Sequence, residues 1–190
     1  QTTDGTFEIH ETGQPVMQFA LIARAKHYPL SRLVLGHRWL EFVYDHHQSL
    51  IEIRQDHSVA LRFAHDSHRC ITQVSRPAEN GEEIVLASYS YDQFGNLRSV
   101  TDAGSGRSSY EFDTEHRMTR SQTPLGYGFN FEYDSVGRCA RAHGDDGLYD
   151  TSMAYFPVER RSMSTYADGA QIEYYYSAAG SLTYVSNSGG

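Results

Sequence analysis

The sequence predicts an all-β protein of stacked antiparallel hairpins that together make a curved sheet. Three observations carry this expectation. A tyrosine-aspartate pair, or a weakened copy of it, returns at Tyr44, His65, Tyr91, Phe112, Tyr133, Tyr155 and Tyr176, at intervals of 21, 26, 21, 21, 22 and 21 residues. A fixed period of this size marks units that cannot bury an apolar face alone and must stack. Before each anchor, large residues alternate, as in Tyr89 and Tyr91, Tyr110 and Phe112, or Phe129, Phe131 and Tyr133. Period two with aromatics on one face is the pattern of a half-buried strand. Turn residues then fall at a constant offset, with aspartate after the anchor and glycine three residues later, as in Asp92 and Gly95 or Asp134 and Gly137.

Taken in order, residues 1–35 form a β-rich lead-in. Thr6 to Glu11 alternates like a strand, and Gly13-Gln14-Pro15 reads as a turn. Val16 to Ala25 is compatible with a strand or a short helix, and Tyr28 is pushed away from helix by Pro29. Leu33-Val34-Leu35 followed by Gly36 reads as a strand and turn leading into the repeats. Residues 36–185 then hold about seven units of roughly 21 residues, each two strands and two turns.

The candidate site residues are those of the repeat itself: the anchor aromatics Tyr44, Tyr91, Phe112, Tyr133, Tyr155 and Tyr176, and the turn residues Asp45, Asp66, Asp92, Gly95, Asp113, Asp134, Gly137 and Gly180. The aspartates suit a type I turn, where a carboxylate can accept backbone N–H groups, and the glycines suit a left-handed position. An apolar or small residue should reopen each strand at Leu50, Ile71, Leu97, Met118, Cys139 or Leu182. A second turn is expected at Asp102-Ala103-Gly104, Pro124-Leu125-Gly126, Asp145-Asp146-Gly147 and Asp168-Gly169. Gln48, Arg69, His116 and Glu159 stand in glycine slots, and Phe156 and Ser177 in aspartate slots, so those hairpins should be less well determined. Asn80-Gly81 accounts for the 26-residue interval, as an insertion placed most easily in a hairpin loop. Residues 186–190 read as a flexible end.

These phased Tyr-Asp-x-x-Gly-Asn/Arg-Leu units resemble the YD repeats of Rhs proteins, a family that includes teneurins and the shells of insecticidal toxin complexes. The stretches Tyr91 to Ala103, His116 to Arg120, and Gly137 to Cys139 leading into Gly144 to Tyr149 are especially similar to bacterial Rhs shells. The likeness is strong over about residues 85–185, looser over 36–80 and faint before 36. It implies a sheet that spirals into a hollow shell and encloses a toxin until delivery, often through type VI secretion in competition between bacteria. The partners implied are the remaining shell segments of a parent polypeptide, the enclosed toxin domain and secretion components. The family's Asp-Pro core associated with self-cleavage has no counterpart here, so no cleaving residue carries over.

Composition narrows the function further. With 24 acidic against 16 basic side chains and a net charge of −8, the chain offers no nucleic-acid surface; Lys26 is its single lysine. Val16 to Ala25 is too short and too polar to span a membrane, and no signal peptide is visible. Passage through a secretion machine after a cytoplasmic stage is the expectation. Cys70 and Cys139 do not form a disulfide framework. The histidine cluster of His46, His47, His57, His65 and His68 suggests His65 and His68 with Asp66 as metal ligands. However, a strand followed by a turn need not converge them, and neither metal nor cofactor is expected. Glu82-Glu83 and Asp145-Asp146 read as solvated turn carboxylates, and no phosphate loop or nucleophile elbow occurs. The expected function is a structural wall rather than an enzyme. The alternative is a surface-binding module whose exposed tyrosines recognise glycans or a cell-surface protein. Unpaired sheet edges should make the isolated chain self-associate.

Overall fold

The computed structural model describes residues 6–11, 13–20 and 28–187. Among them are seventeen strands, one three-residue 3-10 turn and no α-helix. The chain divides into two compact units, Gln1–Gly95 with Val100–Ser105, and Asn96–Ser99 with Gly106–Gly190.

In the first unit, β1 (Phe7–Ile9), β2 (Val16–Phe19), β3 (Leu30–Leu35), β4 (Arg38–Tyr44), β5 (Leu50–Gln55), β6 (Ser58–His65), β7 (Ile71–Pro77) and β8 (Glu83–Tyr91) follow one another. Each pairs antiparallel with the next. Strand β9 (Leu97–Asp102) contributes residues to both units. The second unit continues with β10 (Arg107–Phe112), β11 (Met118–Gln122), β12 (Gly128–Tyr133), β13 (Cys139–Gly144), the 3-10 turn Asp145–Gly147, β14 (Thr151–Phe156), β15 (Arg161–Tyr166), β16 (Gln171–Tyr176) and β17 (Leu182–Asn187). Its strands form a second antiparallel meander. Hairpin-linked neighbours need only local contacts, which a short repeat can supply.

Anchors and reopening residues mark the strand boundaries. Six of the seven anchor positions close a strand, at Tyr44, His65, Tyr91, Phe112, Tyr133 and Tyr176. Leu50, Ile71, Leu97, Met118, Cys139 and Leu182 each open the next. Between them the turn is uniform. The Asp134 N–H donates to the Arg138 carbonyl at 2.8 Å and the Gly137 N–H donates to the Asp134 carbonyl at 3.0 Å. Gly137 sits at φ 84°, so a type I turn is followed by a left-handed residue and a bulge. Gln48, Arg69 and His116 adopt the same conformation at φ 69°, 67° and 62°. Their turns keep the same pair of backbone bonds, so these hairpins are as regular as the glycine ones. Each of these side chains bears a left-handed cost that glycine would avoid.

Three local expectations are corrected. In the sixth unit the strand runs one residue beyond its anchor, to Phe156, and the left-handed residue is Arg160 (φ 51°) rather than Glu159. Phe156 replaces the aspartate that would start the turn, so the turn slips to Pro157, whose carbonyl accepts the Arg160 N–H. The second turn expected at Asp102-Ala103-Gly104 is present, with the Ser105 N–H donating to the Asp102 carbonyl at 3.0 Å and Ser105 left-handed (φ 65°). The 26-residue interval is not a loop insertion. Ala78 to Gly81 makes the ordinary four-residue turn, while β7 and β8 hold 7 and 9 residues against 5 and 6 in β11 and β12. The five extra residues lengthen the strands. Finally, Ser186 and Asn187, expected in a flexible end, pair with Glu173 and Ile172 in β17. Val16–Phe19 is a strand, whereas most of the ambiguous segment after it, residues 21–27, lies outside the described residues.

No hydrophobic side chain among the described residues is fully buried; Ser75 and Ser99, each 5% exposed, are the buried side chains that remain. Strand pairing and contacts between successive hairpins therefore hold each unit, rather than a closed apolar core. Cross-strand ion pairs line the faces, such as Glu52 with Arg62 and Arg161 with Glu173. Exposed pairs of this kind contribute little individually.

Candidate functional site

Successive hairpins are joined by a contact that recurs along the chain. A bulge just before five of the anchors, between Glu132 and Tyr133 for example, turns the anchor ring away from the ordinary pleat, whereas β14 pairs through Tyr155 without one. The anchor hydroxyl then reaches back to the preceding unit. Tyr91 donates to the Ile71 carbonyl at 2.8 Å, Tyr133 to Met118 at 2.7 Å and Tyr155 to Cys139 at 2.8 Å. The acceptor is in each case the residue that reopens the previous hairpin. Tyr44 makes the corresponding bond to Leu30, the first residue of β3, at 3.0 Å, and the Tyr176 hydroxyl meets Ser162 Oγ at 3.2 Å. Partial burial pushes the Tyr44, Tyr91, Tyr133 and Tyr155 hydroxyls above their ordinary pKa, so each stays a protonated donor. Phe112 and His65 occupy the anchor position without a phenol to donate.

The turn aspartate organises the other half of the contact. Asp134 Oδ1 accepts the N–H groups of Val136 at 3.0 Å and Arg138 at 2.9 Å, closing the turn. Its second oxygen accepts Nε of Arg138 at 2.7 Å. That guanidinium then lies over the Tyr155 ring of the next unit, 4.5 Å from its centroid. Asp113, Arg117 and Tyr133 repeat the set, with Nε to Oδ2 at 2.7 Å and the guanidinium 4.8 Å from the ring centroid. Backbone donors first, then the arginine, hold the Asp113 and Asp134 carboxyls below the usual carboxylate range. Asp45 is lowered mainly by the Ser49 N–H, and its Oδ1 takes the His47 and Ser49 amides at 2.8 and 2.9 Å. Asp66 binds the amides of His68 and Cys70, each at 2.9 Å, and Asp92 binds that of Phe94 at 2.8 Å.

The stacking arginines Arg117 and Arg138 were not among the residues singled out from the sequence. Their signal was present in the Gly-Asn/Arg position after the turn, but nothing in the spacing tells which ring an arginine will cover. Asp145 was likewise read as a solvated turn carboxylate. Instead it accepts both terminal nitrogens of Arg120, at 3.0 and 3.1 Å, and the Gly128 N–H at 2.7 Å. Gly95, Gly137 and Gly180 are left-handed, at φ 85°, 84° and 81°. His65 and His68 lie on strand end and turn, and no group of three metal-ligating side chains gathers among the described residues. Cys70 and Cys139 are free thiols. No helix among the described residues is long and apolar enough to cross a membrane.

The described repeat residues thus build a series of structural joints between hairpins. Residues 88–127 match the RHS Repeat family. Two curated proteins of Dickeya dadantii, "Probable deoxyribonuclease RhsB" and "Probable deoxyribonuclease RhsA", are 28% and 27% identical over 130 residues. That match covers 63% of this chain but 9% of each relative's length. Among solved structures, the Photorhabdus luminescens Tc holotoxin pore aligns over 92% of this chain and 11% of its own, with a TM-score of 0.64 at 12% identity. TcdB2-TccC3 without its hypervariable C-terminal region aligns over 93% and 11%, with a TM-score of 0.62 at 13% identity. At such identities the likeness is one of fold.

Proposed function

We propose, from the premise that the chain belongs to the Rhs family of YD-repeat proteins, that it is a wall segment of a shell enclosing a toxin domain. The observation that carries this reading is the repeated joint of anchor hydroxyl, reopening carbonyl, turn aspartate and arginine. It uses the functional groups to hold hairpin to hairpin, and no acid, base and nucleophile assemble among the described residues. A sheet whose apolar side chains all remain partly exposed also gains from further layers or cargo against its faces. The chain spans about a tenth of its relatives' length, which suits a piece of a longer wall. The segment itself is a scaffold, not an enzyme; its partners are other shell segments, the enclosed toxin domain and components of a secretion machine. The parent is held in the cytoplasm until delivery against competing bacteria, by a route such as type VI secretion.

Limited proteolysis of the full parent polypeptide tests this. The enclosed domain should resist cleavage in the wild type and become sensitive when Tyr133 and Tyr155 are both changed to alanine, with the toxin's own catalytic rate unchanged. A domain equally sensitive in both forms would remove the encapsulation reading.

A further inference from the structure

Comparing one joint with the next exposes a place where two parts are missing together. In the joints Asp113–Arg117–Tyr133 and Asp134–Arg138–Tyr155, the carboxylate's second oxygen holds an arginine Nε and the guanidinium covers the next anchor ring. At the joint between the first two repeats, Ser49 stands in the arginine position and His65 in the tyrosine position. Asp45 keeps its turn role through Oδ1, bound by the His47 and Ser49 amides, but no side chain among the described residues meets its second oxygen. The truncated pair leaves a cleft of about 540 Å³ lined by Asp45, Ser49, Phe63, His65, Asp66 and Arg69.

We propose that this cleft is a binding site for a guanidinium group, an arginine side chain presented by a peptide segment. The internal joints define the ligand: a planar fork held by an aspartate Oδ2 and stacked on a ring. The cleft offers the same carboxylate, fixed by the same two backbone donors, with Phe63 and His65 supplying rings. Its charge is compatible, with Asp45 and Asp66 against Arg69. The Arg69 guanidinium points to the His47 carbonyl at 3.4 Å and makes no ion pair with Asp45. A lysine would supply charge without the fork or the stacking face. The site goes beyond the wall function, since it gives one joint a gap that another chain segment can close.

The test titrates Nα-acetyl-arginine-methylamide, and separately its lysine counterpart, into the purified chain while following backbone amide signals of residues 45–51 and 63–69 by NMR. The arginine probe should shift these signals saturably, binding at least about fivefold more tightly than the lysine probe. Ser49→Arg, which supplies the guanidinium from the chain itself, should raise Tm and weaken the probe at least about tenfold. Asp45→Asn should abolish binding, and it provides the same reading should Ser49→Arg misfold. The inference is overturned by no saturable shift at roughly 50 mM probe, by equal binding of the two probes, or by undiminished binding in a folded variant.

Discussion

Tyr155 donates its hydroxyl to the carbonyl of Cys139 at 2.8 Å, and Cys139 is the residue paired across its hairpin with the previous anchor, Tyr133. One anchor thus fastens to the strand partner of the anchor before it. The same relation links Tyr133 to Met118, the partner of Phe112, and Tyr91 to Ile71, the partner of His65. Each unit returns its anchor to the reach of the last reopening carbonyl, 21 and 22 residues after the previous anchor at Tyr133 and Tyr155 and 26 at Tyr91, where the longer β7 and β8 take up the difference. The alternation places the ring, and the hydroxyl fastens it to the hairpin before.

Tyr133→Phe and Tyr155→Phe delete this bond and keep the ring. Each should cost roughly 0.5–1.5 kcal/mol, read as a lower urea midpoint with unchanged slope. Alanine at either position should cost more, but less than the about 3–5 kcal/mol of a fully buried ring, because these rings are half-buried. If the phenylalanine variants melt like wild type, the hydroxyl has no role in the joint.

How much of this was readable in the sequence depends on the range of the interaction involved. Strand ends and starts follow local chemistry, so Tyr91, Asp92, Gly95 and Leu97 could be assigned from one another. The sixth turn could not, because Phe156 in place of aspartate removes the side chain that closes the turn, and strand pairing then continues to Phe156. Lengthening of β7 and β8 was also hidden: an extra five residues cost the same number of letters in a loop or in two strands. The carbonyl under each tyrosine, and the ring under Arg117 or Arg138, belong to the neighbouring unit. Such contacts depend on register, which spacing alone leaves open.

Acid should loosen the turns. Backbone donors, reinforced by arginine at two of the sites, depress the Asp45, Asp113 and Asp134 carboxyls in the fold. A depressed carboxyl stabilises the fold fully above its unfolded pKa, near about 4. That contribution is lost as pH falls through the lower folded value. Tm should therefore be flat from neutral pH down to about 5 and decline below about 4. Asp134→Asn, which keeps an acceptor oxygen but loses the charge facing Arg138, should lower Tm at neutral pH and show a smaller acid decline. A decline of wild-type size in that variant would remove Asp134 from the account.

Backbone conformation at the turn can be tested separately from packing. A Cβ added to Gly95 would meet nothing within 4 Å, yet its φ is 85°. Gly95→Val should thus cost about 1–2 kcal/mol or more from strain alone. His116 already bears that conformation at 62° and bonds through Nδ1 to Asn96 Oδ1 at 3.0 Å. His116→Gly should relieve strain and lose that bond, so its Tm should change less than that of Gly95→Val. Equal and opposite shifts of full size would mean that the Asn96 contact carries no weight.

The strand β17 places the wall proposal at greatest risk. It pairs with β16, yet Leu182, Tyr184 and Val185 remain 55%, 61% and 46% exposed, whereas every residue of β13, at the matching place in an earlier repeat, is half-buried or buried. Exposed apolar side chains along a strand invite another surface to cover them. In a continuing wall the next hairpin would cover them; in the isolated chain a second copy should. Light scattering across a dilution series should show concentration-dependent oligomers. Tyr184→Lys with Val185→Lys should shift the population toward monomer with at most a small fall in Tm, from the lost contact of the Tyr184 and Tyr175 rings at 5.6 Å. A wild-type chain that stays monomeric at high concentration would mean that this edge is finished as it stands, and the continuing-wall reading would fail with it.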